Sequence, residues 1–84
     1  MDWDKLRVLH AAAELGSFTR AAEALDMSQS AVSRQVSAVE RDLNVPLFHR
    51  HARGLMLTEH GEILYHAAHD MMIKLDVVRG QLME

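Results

Sequence analysis

The sequence predicts a mainly α-helical fold, in which three helices and a two-stranded hairpin precede one long helix. Two observations predict it. Apolar residues recur at the spacing of a buried helix face in four separate segments, and a hairpin pattern interrupts them after Pro46. The chain has 84 residues, 49% of them apolar and none of them cysteine, which indicates one small folded domain without disulfides or cysteine-bound metals.

The first two helices are expected on either side of Gly16. The first begins near Asp4 and ends at Gly16, and Ser17 then caps the second through its side-chain oxygen. The predicted buried faces are Leu6, Leu9, Ala12 and Ala13 in the first helix and Phe18, Ala21, Ala22 and Leu25 in the second.

The third helix follows the second after a break of three residues, 26–28. Two helices joined so closely must cross steeply, and Ala22 is small where a larger side chain would push them apart. Ser28 caps the third helix and Asn44 closes it, since Pro46 cannot continue it. Leu25, Met27 and Val32 would form the shared core, and Val32, Val36, Val39 and Leu43 the inner face of the third helix. This is a helix-turn-helix over residues 18–37.

The wing is predicted over residues 47–58, as strands 47–50 and 55–58 joined by a loop that contains Gly54. Thr58 would then cap the fourth helix. We therefore expect a winged helix-turn-helix domain over 1–58 and a linker and dimerisation helix over 59–84.

The outward face of the third helix is polar and carries no acid. It consists of Gln29, Ser30, Ser33, Arg34 and Ser37. Gln pairs well with adenine and Arg with guanine or a phosphate. An ordinary solvated face is the alternative, but such faces usually mix Glu and Lys for helix propensity, so the three serines favour DNA binding.

The net charge of −3 argues against nucleic-acid binding, but its distribution weakens the objection. Residues 1–58 contain seven Lys/Arg and seven Asp/Glu, whereas residues 59–84 contain two and five. The acidic excess therefore belongs to the last third of the chain.

Four motifs, in this order, closely resemble the N-terminal domain of LysR-type transcription regulators. They are GSFTRAAEAL (16–25), SQSAVSRQV (28–36), LFHR (47–50, with Arg53 following) and LTEHG (57–61). The resemblance implies that Gln29, Ser30, Ser33 and Arg34 face bases and phosphates in the major groove, and that Arg53 reaches the minor groove from the wing. The candidate DNA-binding set is completed by Ser37, Thr19 and Arg50.

This chain departs from the family pattern at two positions and in its length. Ser30 stands where many members have Pro, and Asn44 where they often have Gly. The effector-binding domain of the family is missing, so we expect a fragment of a longer regulator, which would meet a small-molecule effector only through that absent domain.

The fourth helix repeats apolar residues at alternating spacings of three and four, which indicates lengthwise packing on another helix. The repeat begins at Gly61, and its candidate dimerisation residues are Leu64, Ala68, Met71, Leu75, Val78 and Leu82. This row would cover the helix's own domain or pair with a second copy. We favour a homodimer through residues 59–83 for two reasons. A helix of this length cannot pack its whole apolar row on the small domain that precedes it, and LysR-type regulators dimerise through this helix.

Six histidines raise the question of a metal site. The pairs His66/His69 and His49/His51 have no carboxylates arranged as further ligands in the sequence, so we expect surface histidines, no metal and no cofactor. No phosphate loop, nucleophile elbow or acid pair is present, which argues against an enzyme.

The sequence therefore predicts a cytoplasmic, nucleoid-associated protein without a membrane segment that binds double-stranded DNA specifically and regulates transcription. Its partner would be an interrupted inverted repeat read by a homodimer. The alternative is a helical protein-interaction module that does not bind DNA, and the net negative charge of the chain favours it.

Overall fold

The computed structural model describes residues 1–52 and 54–83, and it has the predicted mainly helical architecture with a two-stranded antiparallel sheet. The elements in chain order are α1 (Trp3–Leu15), α2 (Phe18–Leu25), α3 (Gln29–Leu43), β1 (Phe48–His51), β2 (Gly54–Leu57) and α4 (Glu59–Leu82).

The helix ends follow the local sequence closely. Gly16, Asp26 and Asn44 have φ angles of 64°, 55° and 57° and end α1, α2 and α3 in the left-handed conformation. Helix α1 begins slightly before the predicted start, because the Asp2 side chain accepts a hydrogen bond from the backbone of Lys5. The three predicted caps are confirmed: Ser17, Ser28 and Thr58 each accept a backbone N–H from three residues ahead.

The core lies between α1, α2, α3 and the base of the hairpin. Its buried members are Val8, Leu9, Ala12, Phe18, Ala21, Ala22, Val32, Val36, Val39, Leu47 and Phe48. One prediction is wrong: Leu43 is 40% exposed. The buried face of α3 ends at Val39, and Leu43 lies one turn further on, at the rim of an open apolar groove beside Ile63.

The hairpin pairs β1 with β2 in antiparallel register, from Phe48 opposite Leu57 to His51 opposite Gly54. The strands are thus shifted by one residue from the predicted segments, and Leu47 and Thr58 lie just outside them. The Leu55 N–H donates to the Gly16 carbonyl at the end of α1 at 3.3 Å, which joins the hairpin to that helix. The Thr58 N–H donates to the Leu47 carbonyl at 2.9 Å, which closes the base of the hairpin.

Helix α4 buries its apolar row on its own domain only along its first half. Gly61 and Ala68 are buried and Leu64 is half-buried, whereas Met71, Leu75, Val78 and Leu82 are exposed. Ala68 retains 0% exposure within a single chain, so its assignment as a dimer contact is corrected. Within the described residues, no helix has the length and apolar character needed to cross a membrane.

The contact between α1 and α4 is polar and aromatic. The rings of His10 and Tyr65 stack at 5.4 Å, and the Tyr65 hydroxyl donates to Glu14 Oε1 at 2.6 Å. Burial lowers the pKa of His10, and the hydrogen bond from Tyr65 lowers the pKa of Glu14. The position of α4 on the domain is therefore held by specific polar contacts as well as by apolar packing.

Candidate nucleic-acid interface

The predicted DNA-binding face of α3 lies opposite the core. Val32, Val36 and Val39 have 0% exposure on the inner side of the helix. On the outer side, Gln29, Ser30 and Arg34 are exposed and Ser33 and Ser37 are half-buried. These five side chains share one stripe because their spacings of three and four return to the same side of a helix. The fold thus holds the stripe rigidly and leaves it open to solvent.

The start of α3 also suits an anion. The side chain of Ser28 caps it, accepting the Ala31 N–H at 3.1 Å, and its hydroxyl lies 3.3 Å from that of Ser30. The first turn contains no acidic residue. Because a helix N-terminus carries partial positive charge and unpaired N–H groups, it favours a phosphate.

Thr19 lies exposed in the first turn of α2, one residue before the exposed Arg20. Ser17 caps that turn by accepting the Arg20 N–H at 3.2 Å, and the turn holds no acid. Two helix N-termini without acidic side chains are therefore available to a polyanion.

Arg50 extends from β1 toward the helices. Its guanidinium carbon lies 5.2 Å from the centre of the Phe18 ring, and its Nη2 lies 3.7 Å from Glu40 Oε1. Glu40 is itself held in place, because its Oε2 accepts the Leu47 N–H at 2.8 Å. The Arg50 side chain is still 53% exposed, so these contacts orient it without burying its charge.

The remaining candidate, Arg53, lies outside the described residues. Of its sequence neighbours, Ala52 follows β1 and Gly54 begins β2. His49 and His51 are exposed on the same strand, with ring centres 6.1 Å apart, as the sequence predicts for residues two apart.

Arg41 is a cation on this face that the sequence reasoning missed. It is exposed and lies seven residues after Arg34, which is two helical turns and nearly the same direction. That spacing was the available signal. The outward side of α3 therefore carries two arginines, Arg34 within the polar stripe and Arg41 one helical turn beyond it.

Helices α2 and α3 are joined by a short turn, the outward face of α3 carries no acid, and a two-stranded wing follows. Together these features define the winged helix-turn-helix class of DNA-binding domains. The profile of "Bacterial regulatory helix-turn-helix protein, lysR family" matches residues 3–62. The chain belongs to that family.

Known proteins of similar sequence and structure agree with this assignment. The "Probable RuBisCO transcriptional regulator" of Trichormus variabilis is 56% identical over 61 residues, which is 73% of this chain and 18% of that protein. The crystal structure of the CbnR_DBD-DNA complex is similar with a TM-score of 0.83 and 34% identity, over 96% of this chain and 92% of that one. The BenM_DBD/catB site 1 DNA complex has a TM-score of 0.89 and 30% identity, over 98% and 92% of the two chains. The chain thus spans less than a fifth of the length of the Trichormus variabilis regulator.

Proposed function

We propose that this chain is the part of a LysR-type regulator that binds double-stranded DNA sequence-specifically, by inserting the start of α3 into the major groove. The observation that carries the proposal is the stripe from Gln29 to Ser37, which is polar, free of acid and directed away from the core. The similarity to two protein–DNA complexes over nearly the whole chain supports it.

Each side chain of the stripe has a chemical role in this proposal. Gln29 and Arg34 are long and exposed, and they read base edges: Gln pairs with adenine, and Arg pairs with guanine or grips a phosphate. The three serines, Ser30, Ser33 and Ser37, are short enough to let the helix approach closely, and their hydroxyls donate to bases or phosphates.

Phosphate contacts surround this central readout. Thr19 at the start of α2, Arg41 one turn beyond the stripe and Arg50 on β1 are exposed groups around α3. Arg53 on the wing is proposed to enter the adjacent minor groove, where a narrow A·T-rich groove attracts an arginine. Phosphate contacts fix orientation and add affinity without reading sequence.

The proposal is tested by fluorescence anisotropy on a duplex selected for tight binding. Gln29→Ala and Arg34→Ala should each weaken binding by about 1–3 kcal/mol, or roughly 5- to 150-fold, and Arg53→Ala by a similar amount. Arg79→Ala is the matched control, since it removes one exposed arginine near the end of α4. Equal affinities for the stripe variants and the control would refute the assigned face.

A second candidate function, a helical protein-interaction module, is favoured by the acidic excess of residues 59–84 and by the exposed apolar end of α4. Salt dependence separates the two. DNA binding releases counterions, so the binding constant should fall as the salt concentration rises. A plot of the two logarithms should have a slope of about −0.9 for each phosphate contacted. No measurable binding of the duplex at low salt would favour the interaction module.

We further propose that the chain acts as a homodimer through the second half of α4. Met71, Leu75, Val78 and Leu82 are 41–79% exposed and continue the row that Leu64 and Ala68 bury on the chain's own domain. Two copies related by a two-fold axis would read an interrupted inverted repeat and double the phosphate contacts. The additional phosphate contacts matter for this chain, because its net charge is −3 and DNA is also negatively charged.

The dimer interface is tested by sedimentation velocity with two matched variants. Leu75 and Ile73 are both 51% exposed but lie on opposite sides of α4. Leu75→Ser should weaken the dimer at least about tenfold, because it removes an apolar contact, while Ile73→Ser should leave it unchanged. The reverse result would move the interface to the other side of the helix.

The remaining proposals follow from the family assignment. We propose a non-enzymatic, cytoplasmic protein that belongs to a longer regulator, in which a further domain receives any small-molecule effector. The share of the curated relative that this chain spans, 18%, supports a longer parent.

A further inference from the structure

Three side chains capable of binding a metal meet where α1 packs on α4. His10 and Glu14 lie one helical turn apart on α1, and His69 faces them from α4. The sequence predicted no carboxylate ligand near either histidine pair, and that prediction is wrong for His69, whose Nδ1 lies 3.2 Å from Glu14 Oε1. His10, Glu14 and His69 do not belong to the proposed DNA-binding residues.

The three donor atoms form a compact triangle. His10 Nε2 is 2.9 Å from His69 Nδ1 and 3.4 Å from Glu14 Oε1, and the third edge is the 3.2 Å between Glu14 and His69. A tetrahedral zinc ion with bonds of about 2.0–2.2 Å holds neighbouring ligand atoms about 3.3–3.5 Å apart. Each of the three distances thus differs by about 0.6 Å or less from the separation of two ligand atoms on a tetrahedral zinc ion.

We propose that His10 Nε2, Glu14 Oε1 and His69 Nδ1 bind one divalent ion of the zinc class between α1 and α4. Two imidazoles and one carboxylate are ligands that suit zinc, and they are poor ligands for Mg²⁺, which prefers oxygen and retains its water. Three protein ligands leave a fourth position for water. The Glu14 and His69 side chains are 40% and 38% exposed, so an ion reaches them from solvent.

The hydrogen-bonding state of the cluster fits this assignment. The 2.9 Å contact joins two ring nitrogens, so one of them donates its proton to the other. Two neutral imidazoles hold two protons in all, and when an ion binds at these two nitrogens each ring carries one proton on its other nitrogen. The donating ring therefore changes tautomer, with no net loss of a proton, no redox step and no group transfer.

Tyr65 supplies the orienting contact that metal-bound carboxylates usually have. Its hydroxyl donates to Glu14 Oε1 at 2.6 Å, and its ring stacks on those of His10 and His69 at 5.4 and 5.6 Å. Such outer contacts fix the direction of a ligand's lone pairs. The ion would join α4 to α1 at a fixed angle, and it would do so whether or not DNA is bound.

The site is tested by isothermal titration of tag-free protein with ZnCl₂, with no DNA present. We expect one ion per chain and no comparable heat with MgCl₂. His69→Gln and Glu14→Gln should each lower zinc affinity more than about tenfold, and Tyr65→Phe about tenfold, since loss of an outer partner alone costs about 10- to 100-fold.

His51→Gln is the matched control, because it removes one member of the other histidine pair. It should leave the zinc affinity unchanged, and circular dichroism of each variant verifies that it is folded. Zinc binding that survives both His69→Gln and Glu14→Gln in folded protein, binding lost in His51→Gln instead, or no zinc heat at all would overturn the proposal.

Discussion

The same substitution at two glycines of α4 should have opposite effects on stability. A Cβ added at Gly61 would lie 2.0 Å from the Leu47 carbonyl oxygen, 2.9 Å from its carbonyl carbon and 3.0 Å from Leu57 Cδ2. A Cβ at Gly80 would meet nothing within 4 Å. The first substitution thus forces apart two backbone segments, and the second only adds a helix-favouring methyl group.

The magnitude follows from the contact that must be relieved. A carbon and a carbonyl oxygen approach to about 3.3 Å, so α4 and the Leu47 backbone would separate by about 1.3 Å. That separation also stretches the Thr58 N–H contact to Leu47 and the Thr58 cap on Gly61, both 2.9 Å long. Overpacking costs about 1–3 kcal/mol and occasionally more, and backbone is the least yielding neighbour, so we expect about 3 kcal/mol for Gly61→Ala. Gly80→Ala should stabilise by about 0.5–1 kcal/mol.

Urea unfolding followed by circular dichroism measures both changes at one protein concentration. In thermal unfolding of a domain of this size, a loss of about 3 kcal/mol corresponds to a fall in Tm of roughly 12–24 °C. If Gly61→Ala were within about 0.5 kcal/mol of the wild type, the close approach of α4 to the Leu47 carbonyl would be refuted.

Three further predictions, at the α4 cap, the α2–α3 turn and the core, are checked by the same unfolding measurement. Thr58→Val should cost about 1–2 kcal/mol, because the hydroxyl both caps α4 and donates to the Pro46 carbonyl at 2.7 Å; an unchanged midpoint would contradict that role. Asp26→Ala should cost about 1 kcal/mol and Asp26→Gly less, since φ is 55° at this position and glycine adopts that conformation freely; the opposite order would refute the turn geometry. Leu9→Ala should cost about 2–5 kcal/mol because Leu9 has 0% exposure, whereas Leu15→Ala, at 38% exposure, should cost much less; equal losses would contradict the core.

The features predictable from the sequence are those decided by neighbouring residues. A cap needs one side chain and the turn that follows it, and a left-handed helix end needs one tolerant residue, so Ser17, Ser28, Asn44 and Thr58 are placed by local chemistry alone. The polar stripe of α3 is local as well, because helical spacing fixes which side chains share a face.

The features that the sequence did not reveal depend on where other elements end. Leu43 continues the apolar spacing of α3, but the buried face of that helix ends at Val39, and Leu43 is exposed. The apolar row of α4 is continuous in sequence, yet it is buried as far as Ala68 and exposed from Met71 onward. Spacing describes a face, and only tertiary structure decides what covers it.

The polar clusters were least predictable, because their members are distant in sequence. Arg50 meets Glu40 only once the hairpin folds back on α3. His10 and His69 are separated by 59 residues and meet only where α1 packs on α4. The sequence marked His66 and His69 as a pair, whereas the imidazole and the carboxylate that contact His69 belong to His10 and Glu14 on another helix.

Selection of binding sites from a random duplex library tests the base-reading role of α3 most directly, because it reports sequence preference apart from affinity. The wild-type protein and Arg79→Ala should select the same interrupted inverted repeat, while Gln29→Ala should lose its preference at one base pair in each half-site. Identical selected sequences from the wild type, Gln29→Ala and Arg34→Ala would contradict base recognition by the start of α3.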